Sequence, residues 1–497
     1  MKADNLIKPS CNKNPIIYEI NTWIWLSELS LKYHKKITLA KIPAQELDEL
    51  AGLGFNAIWL MGVWKRSQAG LAIAKQHEGI MKDLREALPD LKEEDITGSP
   101  YCIKDYQVDP QIGGDAGLAK ARKELAKRGL RLILDFVPNH VAPDHPWTSV
   151  YPGYFINGTE EEMVNHPDDW YRTGKYIYAK ARDPFYPPWP DVLQLNIFDA
   201  GLREAMIQTL NSIAGQCDGI RCDMAMLVMN DIFSGTWAEK AGQIPHQDFW
   251  PLVIPAIKQQ FPDFLFIAES YWGTEPALIS QGFDYCYDKR YYDYLKEGAE
   301  KSGHHIIEMA PYQQKLLHFL ENHDEPRAAG LFSIERHKAL ALASLTLPGA
   351  RLLHDGQIEG RTVRVPVFLS RKQEEPDNWE VKSFYLLLFK ILRYDAICNG
   401  KWFACRMSGW SDNHTFENLL AWEWLGDHEN LLVVINLSDQ PAQALVESGY
   451  PYSHGKTYQL FDVISGELYR RDGDEMNDPG LYVVLPKWGA HTFSIEH

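Results

Sequence analysis

Short runs rich in Ile, Leu, Val and Phe recur along the chain: IIYEI (16–20), NAIWLM (56–61), LRLILDFV (130–137), DGIRCDMA (218–225), FLFIAES (264–270), FDYCYD (283–288), LLHFLE (316–321) and ARLLHDG (350–356). Several are apolar on both alternating faces, the pattern of a parallel strand buried on two sides. Between them lie stretches of helical periodicity, such as GLAKARKELAKRG (117–129) and LREAMIQTLNSIAGQ (202–216). Eight strands alternating with helices predict an α/β fold, a (β/α)8 barrel of the TIM type.

The rhythm breaks in three places. A charged, helix-like insertion (65–95) follows the second run. Residues 141–196 are rich in Pro, Trp, Tyr and Asp, carry no clear helical pattern and read as a subdomain inserted after the third strand. From about 396 the pattern becomes LLAWEWL, NLLVVINLS, TYQLFDV, GLYVVLP and HTFSIE, which predicts a C-terminal antiparallel β domain. The expected organisation is barrel (1–140), inserted subdomain (141–196), barrel (197–395) and β domain (396–497).

Composition narrows the function classes. A net charge of −17 argues against binding nucleic acid or an anionic membrane surface. No apolar run is long enough to span a bilayer, and the opening MKADNLIKPSCNKNP lacks a secretory apolar stretch. The 7 cysteines are odd in number, scattered and without a CxxC pair, so zinc, redox-motif and disulfide-framework readings fail. A reduced cytoplasmic protein is expected. The glycines at 113–114 read as a turn and no phosphate-cradling loop follows a suitable strand, so no organic cofactor is expected. The pattern specifies no oligomeric state.

In such a barrel the chemistry sits where strands end. The third run passes into DFVPNH (135–140), the fourth holds Arg221 and Asp223, the fifth ends at Glu269, and the seventh ends in ENHD (321–324). Singly, an acid closing a strand is a helix cap, a lone histidine a structural residue, and Arg221 with Asp223 an ion pair. Together they bring Asp223, Glu269, Asp324, His140, His323 and Arg221 to one rim, a costly concentration of charge if it served stability alone. Arg221 and Asp223 share a parity along the strand and point the same way, so the guanidinium is expected to hold the aspartate ionised. Glu269 follows an apolar strand, where desolvation raises a carboxyl pKa.

DFVPNH (135–140), GIRCDMAML (219–227), FIAES (266–270) and FLENHDEPR (319–327) resemble, in order, the four signature regions of the α-amylase superfamily, glycoside hydrolase family thirteen. The resemblance covers roughly residues 15–395. It implies a retaining α-glycosidase with Asp223 as nucleophile, Glu269 as general acid/base and Asp324 as the carboxylate that gathers sugar hydroxyls and stabilises the transition state. It also implies Arg221, His140 and His323 around the sugar, Tyr101 stacking beneath it, and Trp272 as a contact beyond the scissile bond. Asp135 is expected to orient its neighbours. The implied partner is an α-linked gluco-oligosaccharide or glucan. The same acids serve a transglycosylase, and family folds also persist as non-catalytic binding proteins that usually lose the carboxylates.

Three departures bear on specificity. Met226 and Leu227 stand where starch-degrading members carry Lys–His, and Gly98 stands where exo-acting members carry an aspartate. LQLN (193–196) puts Gln194 in place of a calcium-binding aspartate; with so few oxygen ligands, no structural calcium is expected despite Asn139.

Overall fold

The computed structural model describes residues 13–496. Its centre is a closed barrel of parallel strands: β1 Ile16–Asn21, β2 Ala57–Met61, β3 Arg131–Phe136, β4 Gly219–Cys222, β5 Leu265–Ala268, β6 Tyr285–Tyr287, β7 Leu316–Phe319 and β8 Ala350–His354. Each strand pairs with its sequence neighbours, and β1 closes the ring on β8.

The period-2 alternation divides each strand between two cores. Leu132, Leu134 and Phe136 of β3 face the surrounding helices, whereas Ile133 joins Ile17, Ile267, Leu317, Phe319 and Leu352 inside the barrel. The same parity carries the inward side of the strands up to their polar ends: Ile17 leads to Glu19, Ile133 to Asp135 and Ile267 to Glu269.

The helices are amphipathic and end where local signals end them. Ala200–Ala214 is capped by Asp199, whose Oδ1 accepts the Leu202 N–H at 2.8 Å, and it buries Leu202, Met206, Leu210 and Ile213. Gly114–Ala126 buries Leu118, Ala121 and Leu125 in the same way.

The insertion after β2 forms helices Gln68–Gln76 and Glu78–Ala87. Leu84, Leu88 and Ile96 pack with Leu369, and Arg371 Nε donates to Asp95 at 2.6 Å, so this insertion supports the long segment that follows β8. After β3 come the short ladders His140–Val141 with Leu193–Gln194 and Trp170–Thr173 with Tyr176–Ala179. This region also holds a helix, Glu160–Asn165, closed by a capping box between Thr159 and Glu162. The TEEE string there is its sequence signal, outweighed in the pattern by the surrounding Pro and aromatic residues.

The C-terminal part is antiparallel, with a six-stranded sheet and a three-stranded sheet. Strands Lys401–Ala404, Met407–Ser408, Ala442–Val446 and Leu468–Asp472 escaped the pattern because they are short or exposed along one face. Trp424 Nε1 donates to the Thr346 carbonyl at 2.9 Å, tying this part to the barrel. Among the described residues no helix is long and apolar enough to cross a membrane. Cys102, Cys217, Cys222, Cys286 and Cys405 are free thiols. Cys398 is disulfide-bonded, so the expectation of a chain without disulfides fails there.

Candidate active site

Strand register assembles the acids. Arg221 lies directly beside Asp135 across β3 and β4, and Cys222 beside Ala268 across β4 and β5. The next residues out of β4 and β5, Asp223 and Glu269, therefore emerge side by side. Arg221, fully buried, serves both: Nη1 donates to Asp223 Oδ1 and Nη2 forms an ion pair with Glu269 Oε2, each at 2.7 Å. These are charged contacts among three buried side chains, where such contacts are strongest. Asp135 Oδ1 lies farther off, at 3.7 Å, and its other oxygen accepts the Gly62 N–H at 3.3 Å. A side chain at Gly62 (φ +78°) would meet Arg66 Nη2 at 2.9 Å, so this close backbone approach needs glycine.

Directly after the β4 aspartate, Met224 takes a left-handed conformation (φ 42°, ψ 50°). That conformation is uncommon for a residue with a side chain and marks a turn held for a purpose. It aims the Met224 N–H at Glu269 Oε2, at 2.6 Å. The other oxygen, Oε1, accepts from the Tyr271 hydroxyl at 3.0 Å.

The segment after β7 supplies the opposite wall. His323 Nε2 lies 3.1 Å from Asp324 Oδ2 and 2.7 Å from the Tyr101 hydroxyl, and the two rings stack at 5.4 Å. Its Nδ1 bonds the buried carboxylate of Glu19 in β1. The Asp324 side chain is 49% exposed against 3% for Glu269 and 8% for Asp223, so it is the acid presented most openly to solvent. His140 is buried against Trp189, their rings 5.3 Å apart.

The environments separate the acids. Burial raises Glu269 to about 7, with the charges of Asp223 and Asp324 adding to it against Arg221 and the Met224 N–H. Partial desolvation by the surrounding walls works to raise the half-exposed Asp324, but the His323 imidazolium, its hydrogen bond, Arg221 and Arg364 outweigh it and bring this group to about 2. Burial opposes the charging of His323, yet Asp324 and Glu19 carry its pKa well above 6.5. Burial lowers that of His140, which is therefore neutral near pH 7. Asp135 is lifted to about 6 by burial, against Arg221.

Tyr101, His140, Arg221, Asp223, Glu269, His323 and Asp324 thus converge on one mouth of the barrel. Trp272 stands apart on the rim: it is 41% exposed, has φ +61°, and meets Phe185 of the inserted segment edge-on at 4.8 Å. Pattern reading missed Glu19 and Tyr271. Glu19 had a signal, an acid inside an otherwise apolar strand; Tyr271 had none. A cavity of about 1000 Å³ at the other end of the barrel offers no comparable chemistry, since Arg122 pairs with Asp218 and Lys258 with Asp284.

The calcium position does not fit a cation. Gln194 is fully buried, and its Nε2 donates to Asn139 Oδ1 at 2.9 Å and to the carbonyls of Asn139 and Leu195 at 3.0 Å. N–H groups already occupy the oxygens a metal would need. Among the described residues, no group of three or more His, Cys, Asp or Glu is arranged to hold a metal.

The profile for the family described as Alpha amylase, catalytic domain, matches residues 42–281. Over those residues the chain matches the α-amylase catalytic domain. The chain is 26% identical to Alpha-amylase MalA of Haloarcula japonica over 72% of its length and 46% of that protein. It is 25% identical to Alpha-amylase 3 of Dictyoglomus thermophilum over 60% of the chain and 61% of that protein. These matches span about half to three fifths of those relatives' length. A noncanonic maltogenic α-amylase, AmyB from Thermotoga neapolitana, superposes with a TM-score of 0.69 at 21% identity, over 98% of this chain and 100% of that one. This likeness is one of fold.

Proposed function

We propose that the chain is a retaining glycoside hydrolase that cleaves α-glucosidic bonds in gluco-oligosaccharides or glucans by double displacement. The observation that carries this reading is the Arg221 guanidinium spanning Asp223 and Glu269, with Glu269 brought to about 7 by burial. One acid is set beside a fixed cation; its neighbour is poised to hold and release a proton near neutrality, which is the division of labour the chemistry needs.

Asp223 attacks the anomeric carbon while Glu269 delivers its proton to the leaving oxygen, giving a covalent β-glucosyl enzyme. Glu269, now a base, takes a proton from the acceptor as the acceptor oxygen displaces Asp223. Asp324 accepts hydrogen bonds from sugar hydroxyls, with His323 and His140 alongside, and Tyr101 packs beneath the ring. With water as acceptor the product is a shorter sugar. Transfer to a second sugar is the alternative, and the exposed Trp272–Phe185 pair favours it by offering an acceptor a stacking surface. The five free thiols support a cytoplasmic placement, and the disulfide at Cys398 argues against it.

The test is chromatography of products after the purified protein meets linear malto-oligosaccharides, isomalto-oligosaccharides and sucrose, with Asp223→Ala alongside. Shorter sugars alone support hydrolysis and name the linkage; sugars longer than the input support transfer. Products identical to those of the Asp223→Ala control would overturn the assignment.

A further inference from the structure

The two oxygens of Glu269 are not equivalent. Oε2 is ion-paired with Arg221 Nη2 at 2.7 Å and accepts the Met224 N–H at 2.6 Å. Both are obligate donors with no lone pair to offer, so a proton on Oε2 would have to displace one of them. A proton taken up by this carboxyl therefore resides on Oε1. Among the described residues, the side chain bonded to Oε1 is Tyr271, whose hydroxyl donates at 3.0 Å.

Resting on the proposed acid/base role of Glu269, we propose that Tyr271 is a positioning residue that fixes Oε1, the proton-bearing oxygen, through the hydroxyl–carboxyl hydrogen bond. A phenol suits this place because it has one proton and two lone pairs. Burial and the neighbouring Glu269 push the hydroxyl well above 10, so it keeps its proton through the cycle. With its O–H engaging one lone pair of Oε1, the Oε1–H is turned toward the substrate. In the first step the Oε1–H bond breaks, its electron pair stays on Glu269, and the proton forms the new bond to the leaving oxygen. Tyr271 then donates to the carboxylate until a proton returns from water.

The hydrogen bond favours the charged form of Glu269 over the neutral one. The other groups facing this carboxyl are Arg221 and Asp223 from β4, Tyr287 from β6 and Asp324 beyond β7, and none changes when Tyr271 does.

Tyr271→Phe removes only the hydroxyl. Its kcat/KM on a malto-oligosaccharide, whose leaving group needs a proton, is expected to fall about tenfold or more. On 2,4-dinitrophenyl α-glucoside, whose leaving group needs none, the fall should stay within about twofold. The alkaline limb of kcat/KM on the first substrate should move to higher pH. Tyr271→3-fluorotyrosine, a stronger donor of the same shape, should move that limb to lower pH and guards against a folding failure of the first variant. Equal losses on both substrates, or a limb unmoved in both variants, overturn the role. A wild-type protein inactive on both substrates would overturn the proposed function and this role with it; an active wild type with an unmoved limb overturns the role alone.

Discussion

Glu19, inside β1, and His323, beyond β7, meet in the interior of the barrel mouth, the carboxylate bonded to Nδ1 and both side chains out of contact with water. The other nitrogen of the same ring faces Asp324 and Tyr101. Glu19 from within and Asp324 from the more exposed side therefore together favour the protonated form of the buried His323 ring.

Glu19→Gln is expected to leave the His323 imidazolium with only Asp324 as its counter-charge and to destabilise the fold by about 3–5 kcal/mol, read by urea unfolding. His323 has its pKa raised in the folded state, so its contribution is fully present below pH 6.5 and is lost as the pH climbs through the raised value. The gap between wild type and variant should accordingly be widest near pH 6 and narrow in alkali.

Azide distinguishes the two central acids. In Asp223→Ala, azide occupies the vacated face of the anomeric carbon and gives a β-glucosyl azide from an activated α-glucoside. In Glu269→Ala, Asp223 still forms the covalent enzyme, which azide opens to the α product. Without azide, each variant should lose at least about 10³-fold in kcat on malto-oligosaccharides. NMR of the azide products checks the assignment, and the same anomer from both variants would contradict it.

Because Glu269 must enter the first step protonated and titrates at about 7, kcat/KM should fall on the alkaline side, approaching about tenfold per pH unit above roughly pH 8. Asp324, at about 2, stays charged throughout that range and does not shape this limb. A pH profile flat from 6 to 9 would contradict the environment described for Glu269.

Gln194 bonds three oxygens that a cation would otherwise gather. Chelator treatment is expected to leave the melting temperature unchanged. Gln194→Ala strands buried acceptors and should cost about 1–3 kcal/mol for each unsatisfied group. A calcium-dependent melting temperature in the wild type would refute this substitution of an amide for a metal.

Trp272→Ala removes one half of the rim pair with Phe185. An expected threefold to tenfold rise in KM for longer oligosaccharides, about what one aromatic contact contributes, should leave kcat nearly unchanged. Steady-state kinetics over chain length is the measurement.

The eight barrel strands were legible because a parallel strand covered on both faces must be apolar on both, and the C-terminal domain because Leu419–Leu425 and Glu429–Asn436 are long apolar runs while Thr457–Asp462 and Leu481–Leu485 alternate. Short or half-exposed strands such as Lys401–Ala404 lack that imprint and remained invisible. The polar ends of the apolar runs singled out Asp135, Asp223, Glu269 and Asp324, since a charge closing a buried strand is costly unless it is used. Tertiary structure alone decided who touches whom. Arg221 spans Asp223 and Glu269 because Cys222 registers with Ala268. Glu19 reaches His323 because β1 closes the ring beside β8, at residues 304 apart in the chain. Tyr271 reaches Oε1 because Arg221 and the left-handed turn at Met224 already hold Oε2. A linear pattern records which face each residue is buried on, and hydrophobic burial acts on each residue singly. Hydrogen bonds and ion pairs act between particular atoms, and their partners exist only once the barrel has closed.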